Sequence, residues 1–176
     1  MLGNRTRRLA IVFLPVLAVA LSGLGQAKTL QWKVTLTIPA ALEVVPSKSD
    51  LEFQLEPGKA ATIQLALSVG TNCWPLEFSL GFVHPSETDP APSFTYRFWK
   101  EGESAPPLWI KVPPFSLDAP LDLPFPGWTT YNLAIRVATS ADLAPGEYLQ
   151  LLRLCFRSVP AGLVQLEDIP IRVTVR

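Results

Sequence analysis

The sequence predicts an all-β protein, an antiparallel β-sandwich of about seven to nine strands, on three observations. Apolar and polar residues alternate with a period of two in one stretch after another, the pattern of strands with one face inward and one toward water. Short turns rich in proline and glycine separate these stretches, and the chain holds 18 prolines and 10 glycines. Beyond residue 27 no segment sustains an apolar period of 3.6 between helix caps, which argues against an α/β architecture.

The elements follow in order. Arg5, Arg7 and Arg8 precede an apolar run over 9–21 and a small-residue end at Gly25, Gln26 and Ala27. This is the layout of a secretory signal peptide, so residues 1–27 are expected to be removed, with retention as a membrane anchor the alternative. Residues 28–176 are expected to form a single β-sandwich domain. Leu30, Trp32, Val34, Leu36 and Ile38 alternate with polar partners and predict its opening strand. Leu51, Phe53 and Leu55, then a Pro57-Gly58 turn, then Ile63, Leu65, Leu67 and Val69 predict two neighbouring antiparallel strands. Leu76, Phe78, Leu80 and Phe82 continue the rhythm. Residues 84–127 change character: ten prolines interleave with Phe94, Tyr96, Phe98, Trp99, Trp109, Phe115 and Phe125, predicting an ordered but irregular segment with short strands at 94–100 and 108–112. Alternation returns at Tyr131, Leu133, Ile135 and Val137, again after the turn Pro145-Gly146, and finally at Ile169, Ile171, Val173 and Val175.

Charge narrows the function classes. Without residues 1–27 the chain carries 12 basic and 15 acidic residues, a net charge of −3. A weakly acidic chain has no long-range attraction for nucleic acid or an anionic membrane, so no nucleic-acid partner is expected. No membrane span is expected after signal cleavage.

Two phrases carry a resemblance. Leu55-Glu56-Pro57-Gly58-Lys59 leads into Ala61-Thr62-Ile63-Gln64-Leu65, and Leu143-Ala144-Pro145-Gly146-Glu147-Tyr148 leads into another alternating strand. Both resemble the turns of bacterial immunoglobulin-like envelope sandwiches, including fimbrial and spore-coat-like families. The resemblance implies an immunoglobulin-like secreted sandwich with an adhesive, structural or accessory role, and it supplies no catalytic residues. The chain departs from the immunoglobulin pattern proper, having no tyrosine two residues before Cys155.

Few side chains carry chemistry. Cys73 and Cys155 are the two cysteines. In an exported chain a Cys73–Cys155 disulfide is the expectation, closing a loop of roughly 80 residues worth on the order of 4 kcal/mol. Two unpaired thiols are the alternative, and a nucleophilic Cys73 would need a base that the single histidine, His84, is too far along the chain to supply. One histidine builds no clustered metal site, and no metal or cofactor is expected. The acid pairs Glu87/Asp89, Glu101/Glu103 and Asp118/Asp122 read as solvated loop charges. Tyr96, Trp99, Trp109 and Trp128 form the candidate binding surface, since such rings stack on sugars or anchor a protein, the alternative being that they cover the open ends of the core. The terminal stretches 30–38 and 169–175 are candidates for edge-strand self-association.

The sequence therefore predicts an exported protein of the periplasm, cell surface or extracellular space. It is expected to be no enzyme, and to act as a structural or protein-interaction subunit of the cell envelope or an extracellular assembly. A carbohydrate-binding module using residues 94–128, with a polysaccharide partner, is the alternative.

Overall fold

Among the described residues, period-two alternation is realised as ten strands in two five-stranded sheets. The computed structural model describes residues 38–84, 90–123 and 127–176. The signal segment, the alternating stretch over 30–37 and the pair Glu87/Asp89 lie outside the described residues. In chain order the strands are β1 (Leu42–Pro46), β2 (Leu51–Leu55), β3 (Ala60–Thr71), β4 (Leu76–Phe82), β5 (Ser93–Lys100), β6 (Ile110–Lys111), β7 (Leu121–Leu123), β8 (Gly127–Ala138), β9 (Gly146–Ser158) and β10 (Leu163–Val175). Sheet A has the order β1-β3-β8-β5-β6 and sheet B the order β2-β10-β9-β4-β7. Neighbouring strands are antiparallel except β2 and β10, which run in parallel. Among the described residues no helix is long and apolar enough to cross a membrane.

Three expectations change. The count reaches ten because β1 and the very short β7 form where residues supply little or no alternation, while the strand expected over 108–112 is found shortened to β6. β2 and β3 do not pair: the Pro57-Gly58 turn carries the chain from sheet B to sheet A, with Gly58 at φ +76°, a left-handed conformation that suits glycine. Thr139 fixes this crossing. Its Oγ1 accepts from Lys59 N at 3.1 Å and donates toward the Glu56 carbonyl at 2.9 Å. Finally, the C-terminal candidate is no edge over Ile171–Val175, where β10 is held between β2 and β9.

The inward rows of the two sheets meet in a core centred on aromatic rings. Phe78 of β4 stacks on Phe98 of β5 at 4.3 Å between centroids, Phe98 stacks on Tyr131 of β8 at 5.1 Å, and Phe156 of β9 leans on Phe78 at 4.9 Å. Phe82 meets Phe94 edge to face at 5.0 Å. Offset and edge contacts of this kind add to the burial of large apolar surface. The aromatics of residues 84–127 therefore divide, with Phe94 and Phe98 building the core that the later rows share.

The sheet edges are guarded individually. β4 is covered at Phe82, which donates to Pro113 O and accepts from Phe115 N, each at 2.9 Å, and again over Leu76–Phe78 by β7. The chain over 113–119 thus lies as a strap across sheet B, passing directly over Gly81. β1 ends at Pro46, which has no N–H to offer, and at Val44 its free side is met by a side chain from the opposite sheet. Gln165 of β10 accepts from Val44 N at 3.0 Å and donates to Val44 O at 3.1 Å, mimicking a neighbouring strand. Gln165→Ala is expected to destabilise the protein by about 1–3 kcal/mol, the cost of leaving buried backbone groups unpaired. Urea denaturation measures it, and a change indistinguishable from zero would mean that water replaces the amide.

Candidate functional site

Alternation sets which side chains can share a surface. On the outer face of sheet A the registers align Thr62, Arg136, Thr95 and Lys111 in one row, Gln64, Ala134 and Arg97 in the next, and Ala66, Asn132 and Trp99 in the third. Further along, Glu43, Gly70 and Trp128 form another row. One residue before the Tyr96–Ile110 pairing, Trp109 falls beside Arg97.

The four aromatic candidates do not stay together. Trp99, Trp109 and Trp128 belong to this outer face. Tyr96 does not: as an even neighbour of Phe94 and Phe98 it turns inward and is only 8% exposed, and burial pushes its phenol pKa up. A strand cannot show Tyr96 and Trp99 on the same side, because an odd separation reverses the face.

Each remaining ring has a distinct setting. The Trp128 indole lies across the position where a residue-70 side chain would stand, with ring atoms 2.7–2.8 Å from an ideal Cβ built on Gly70. Only glycine leaves room for it, and the ring remains 68% exposed. A cavity of about 310 Å³ beside it is lined by Ala41, Glu43, Thr71 and Asn72. Asn72 braces this end, accepting from Ala41 N at 2.7 Å and donating to Pro39 O at 2.8 Å. Trp109 stands beneath a guanidinium: Arg97 Cζ is 4.3 Å from its centroid and Arg136 Cζ 5.9 Å. Arg97 Nη2 donates to Pro107 O at 2.6 Å, its Nε is buried with no hydrogen-bond partner, and Ala134 is buried although it faces outward. Gln64 Nε2 donates to Asn132 Oδ1 at 2.9 Å between the two aromatic stations.

The outer face of sheet B is different. Arg153 pairs with Asp168 at 2.7 Å and Arg157 with Glu77 at 2.6 Å. The Arg153 hydrogen bond holds the Asp168 carboxyl below its ordinary pKa. Apolar side chains stand on either side of the Arg153–Asp168 row, with Leu149 64% exposed toward one end and Leu166, 50% exposed, next to Val164 toward the other. A groove of about 440 Å³ runs along Leu149, Leu151 and Pro170, bounded by Asp50, Glu52, His84 and Arg172.

The cysteines are free thiols, so the expected Cys73–Cys155 disulfide is not formed. Cys155 lies opposite Ser79 in the middle of β4, on the outward row of β9, whereas Cys73 precedes β4 altogether and is tied to Thr71 through its N–H at 3.0 Å. A disulfide requires Cα atoms within about 7 Å and facing Cβ vectors. Burial pushes the Cys155 thiol pKa up, a setting for an inert cysteine. His84 is exposed beyond β4, and among the described residues no three His, Cys, Asp or Glu side chains gather to hold a metal ion.

Sequence reasoning missed Gly70, Arg97 and Arg136, whose roles depend on strand registers, and the apolar face of sheet B. A signal for the latter exists: Leu149, Leu151, Leu152 and Leu154 place apolar side chains on both parities of one strand, as do Val164, Leu166, Ile169 and Ile171.

No protein-family profile and no curated protein sequence matches the chain. Among solved structures it is similar to the CFA/I adhesin CfaE of enterotoxigenic Escherichia coli at 12% identity and a TM-score of 0.51, over 77% of this chain and 49% of that one. The chain thus spans about half the length of that adhesin. It is also similar to the seventh PapD-like domain of human CEP192, at 12% identity and a TM-score of 0.47, over 86% and 98% of the two chains. The CooA pilin subunit of enterotoxigenic E. coli gives 11% identity and a TM-score of 0.43, over 77% and 98%. At such identities the likeness concerns fold alone. The fold is an immunoglobulin-like β-sandwich, similar to the CfaE adhesin at the level of fold alone.

Proposed function

We propose that residues 1–27 direct export and that residues 28–176 act as a non-enzymatic structural or protein-interaction subunit of the cell envelope or an extracellular assembly. One observation carries this reading: the outer face of sheet B presents Leu149, Val164 and Leu166 to solvent beside the Leu151/Pro170 groove. Exposed apolar side chains on both sides of the Arg153–Asp168 pair are characteristic of a surface that another protein covers. Its occupant is a second copy or another exported subunit, and the fimbrial neighbours, a pilin subunit and an adhesin by name, favour assembly.

The double change Leu149→Glu and Leu166→Glu tests it. Both side chains are exposed, so thermal stability is expected to stay within about 0.5 kcal/mol of the parent. Cross-linked assemblies recovered from the native envelope should shrink to the single chain. Recovery of the parent chain alone, at its monomer mass, refutes the reading, and amino-terminal sequencing of the exported protein reports cleavage after Ala27.

A second reading, a carbohydrate-binding module on the outer face of sheet A, is favoured by the Trp128 ring lying over Gly70 with its other side open. A flat, exposed indole held against backbone is a platform for a sugar ring.

A further inference from the structure

The outer face of sheet A concentrates positive charge for which no ion-pair partner stands among the described residues. Arg136 and Lys111 flank Thr95 in one row, and Arg97 stands in the next. Ion pairs among the described residues join Arg153 to Asp168, Arg157 to Glu77 and Arg172 to Glu147, all within sheet B. None involves Arg97, Arg136 or Lys111. The nearby acids Glu101 and Glu103 belong to the turn at the other end of β5 from Lys111. Three cations therefore cluster, without an ion-pair partner among the described residues, on a chain whose acids outnumber its bases once the signal is removed.

The cluster is also held in place. Arg97 is fixed between the Trp109 ring and the Pro107 carbonyl, while its buried Nε has no acceptor. Arg136 approaches the same ring. A guanidinium already immobilised loses little freedom when an anion arrives, so the charge is preorganised.

From this charge complementarity we infer that the face binds an anionic glycan, a polysaccharide whose sugar rings carry carboxylate or phosphate groups. Arg97, Arg136 and Lys111 receive the anionic groups, and Trp128 receives a ring. The inference rests on the carbohydrate reading and adds the chemical class of its ligand. The two stations are eight residues apart on β8, about 27 Å at ~3.4 Å per residue, a span that suits an extended polymer. Between them the Gln64 and Asn132 amides are aligned on the same face to meet hydroxyl groups. An acidic polypeptide would use the cations but has no need of an open indole platform.

The test titrates the exported protein, by tryptophan fluorescence and calorimetry, with polygalacturonate, phosphomannan, fully methyl-esterified pectin and polyglutamate. Binding of polygalacturonate or phosphomannan at least about tenfold tighter than of the esterified polymer is expected, weakening as salt screens the charges. Which of the two binds identifies the anionic group. The double variant Arg136→Gln, Lys111→Gln leaves the packed Arg97 in place and should keep the parent melting temperature. It should lose about tenfold in affinity for the charged polymer only. Trp128→Ala should weaken charged and neutral polymers alike. Equal affinity for charged and esterified polymers, or unchanged binding by the double variant, overturns the inference while leaving the carbohydrate reading standing. Polyglutamate binding as tightly as the acidic glycans overturns it in favour of an acidic protein partner. Failure of all the polysaccharides to bind removes both.

Discussion

Replacing Phe78 with alanine is expected to cost about 3–5 kcal/mol, a large share of the stability of a domain this size. Phe78 is fully buried, stacks on Phe98 at 4.3 Å and touches Phe156 at 4.9 Å, so the ring connects β4 and β9 of one sheet with β5 of the other. Truncation removes its burial and opens a void that three strands must collapse to fill. Phe78→Leu keeps most of the volume and should cost less, about 1.5 kcal/mol. Equilibrium urea denaturation of both variants decides the matter. An alanine variant within about 1 kcal/mol of the parent would show that Phe98 and Phe156 close over the gap.

Gly81→Ala is the second large effect, although it adds a single methyl group. A Cβ there stands 2.6 Å from Phe115 Cα, 2.7 Å from Phe115 N and 2.8 Å from Pro113 O, all backbone atoms that cannot rotate away. The strap over 113–119 must lift, and the pair of hydrogen bonds between it and Phe82 must lengthen or break. Overpacking together with two weakened bonds is expected to cost about 2–4 kcal/mol. Amide exchange gives the sharper test: Phe82 and Phe115 should lose protection first, while the β9 and β10 amides exchange only with global unfolding. Full protection at Phe115 in the variant would mean that β4 bends instead of the strap.

Most of the fold was legible because one periodicity carries it. Phe53, Leu65, Phe78, Leu133 and Val173 sit inward, where their strand patterns placed them. Pairing was less legible, since alternation says which way a residue faces and nothing about which strand lies alongside. That is why Leu51–Leu55 was expected beside β3 and is found beside β10. The same limit governs the candidate site. Tyr96 could have been separated from Trp99 by counting parity. Gly70 beneath Trp128 and Arg97 beside Trp109 arise from registers between strands remote in sequence, and no local pattern announces them. The cysteines misled for a related reason: the oxidising compartment argues for pairing, while the ladder that sets Cys155 opposite Ser79 decides the geometry.

The parallel alignment of β2 with β10 has a mechanical consequence. Leu51–Leu55 lies in register with Ile171–Val175, so tension applied at the leading end of β2 and the trailing end of β10 pulls the two strands lengthwise past each other. Under that load the ladder is sheared, and its hydrogen bonds must fail together, whereas a strand peeled from its end yields one bond at a time. Resistance of this kind is set by an unfolding rate rather than by an equilibrium. A sandwich so wired holds against stretching along its strands and gives way more readily when pulled across them.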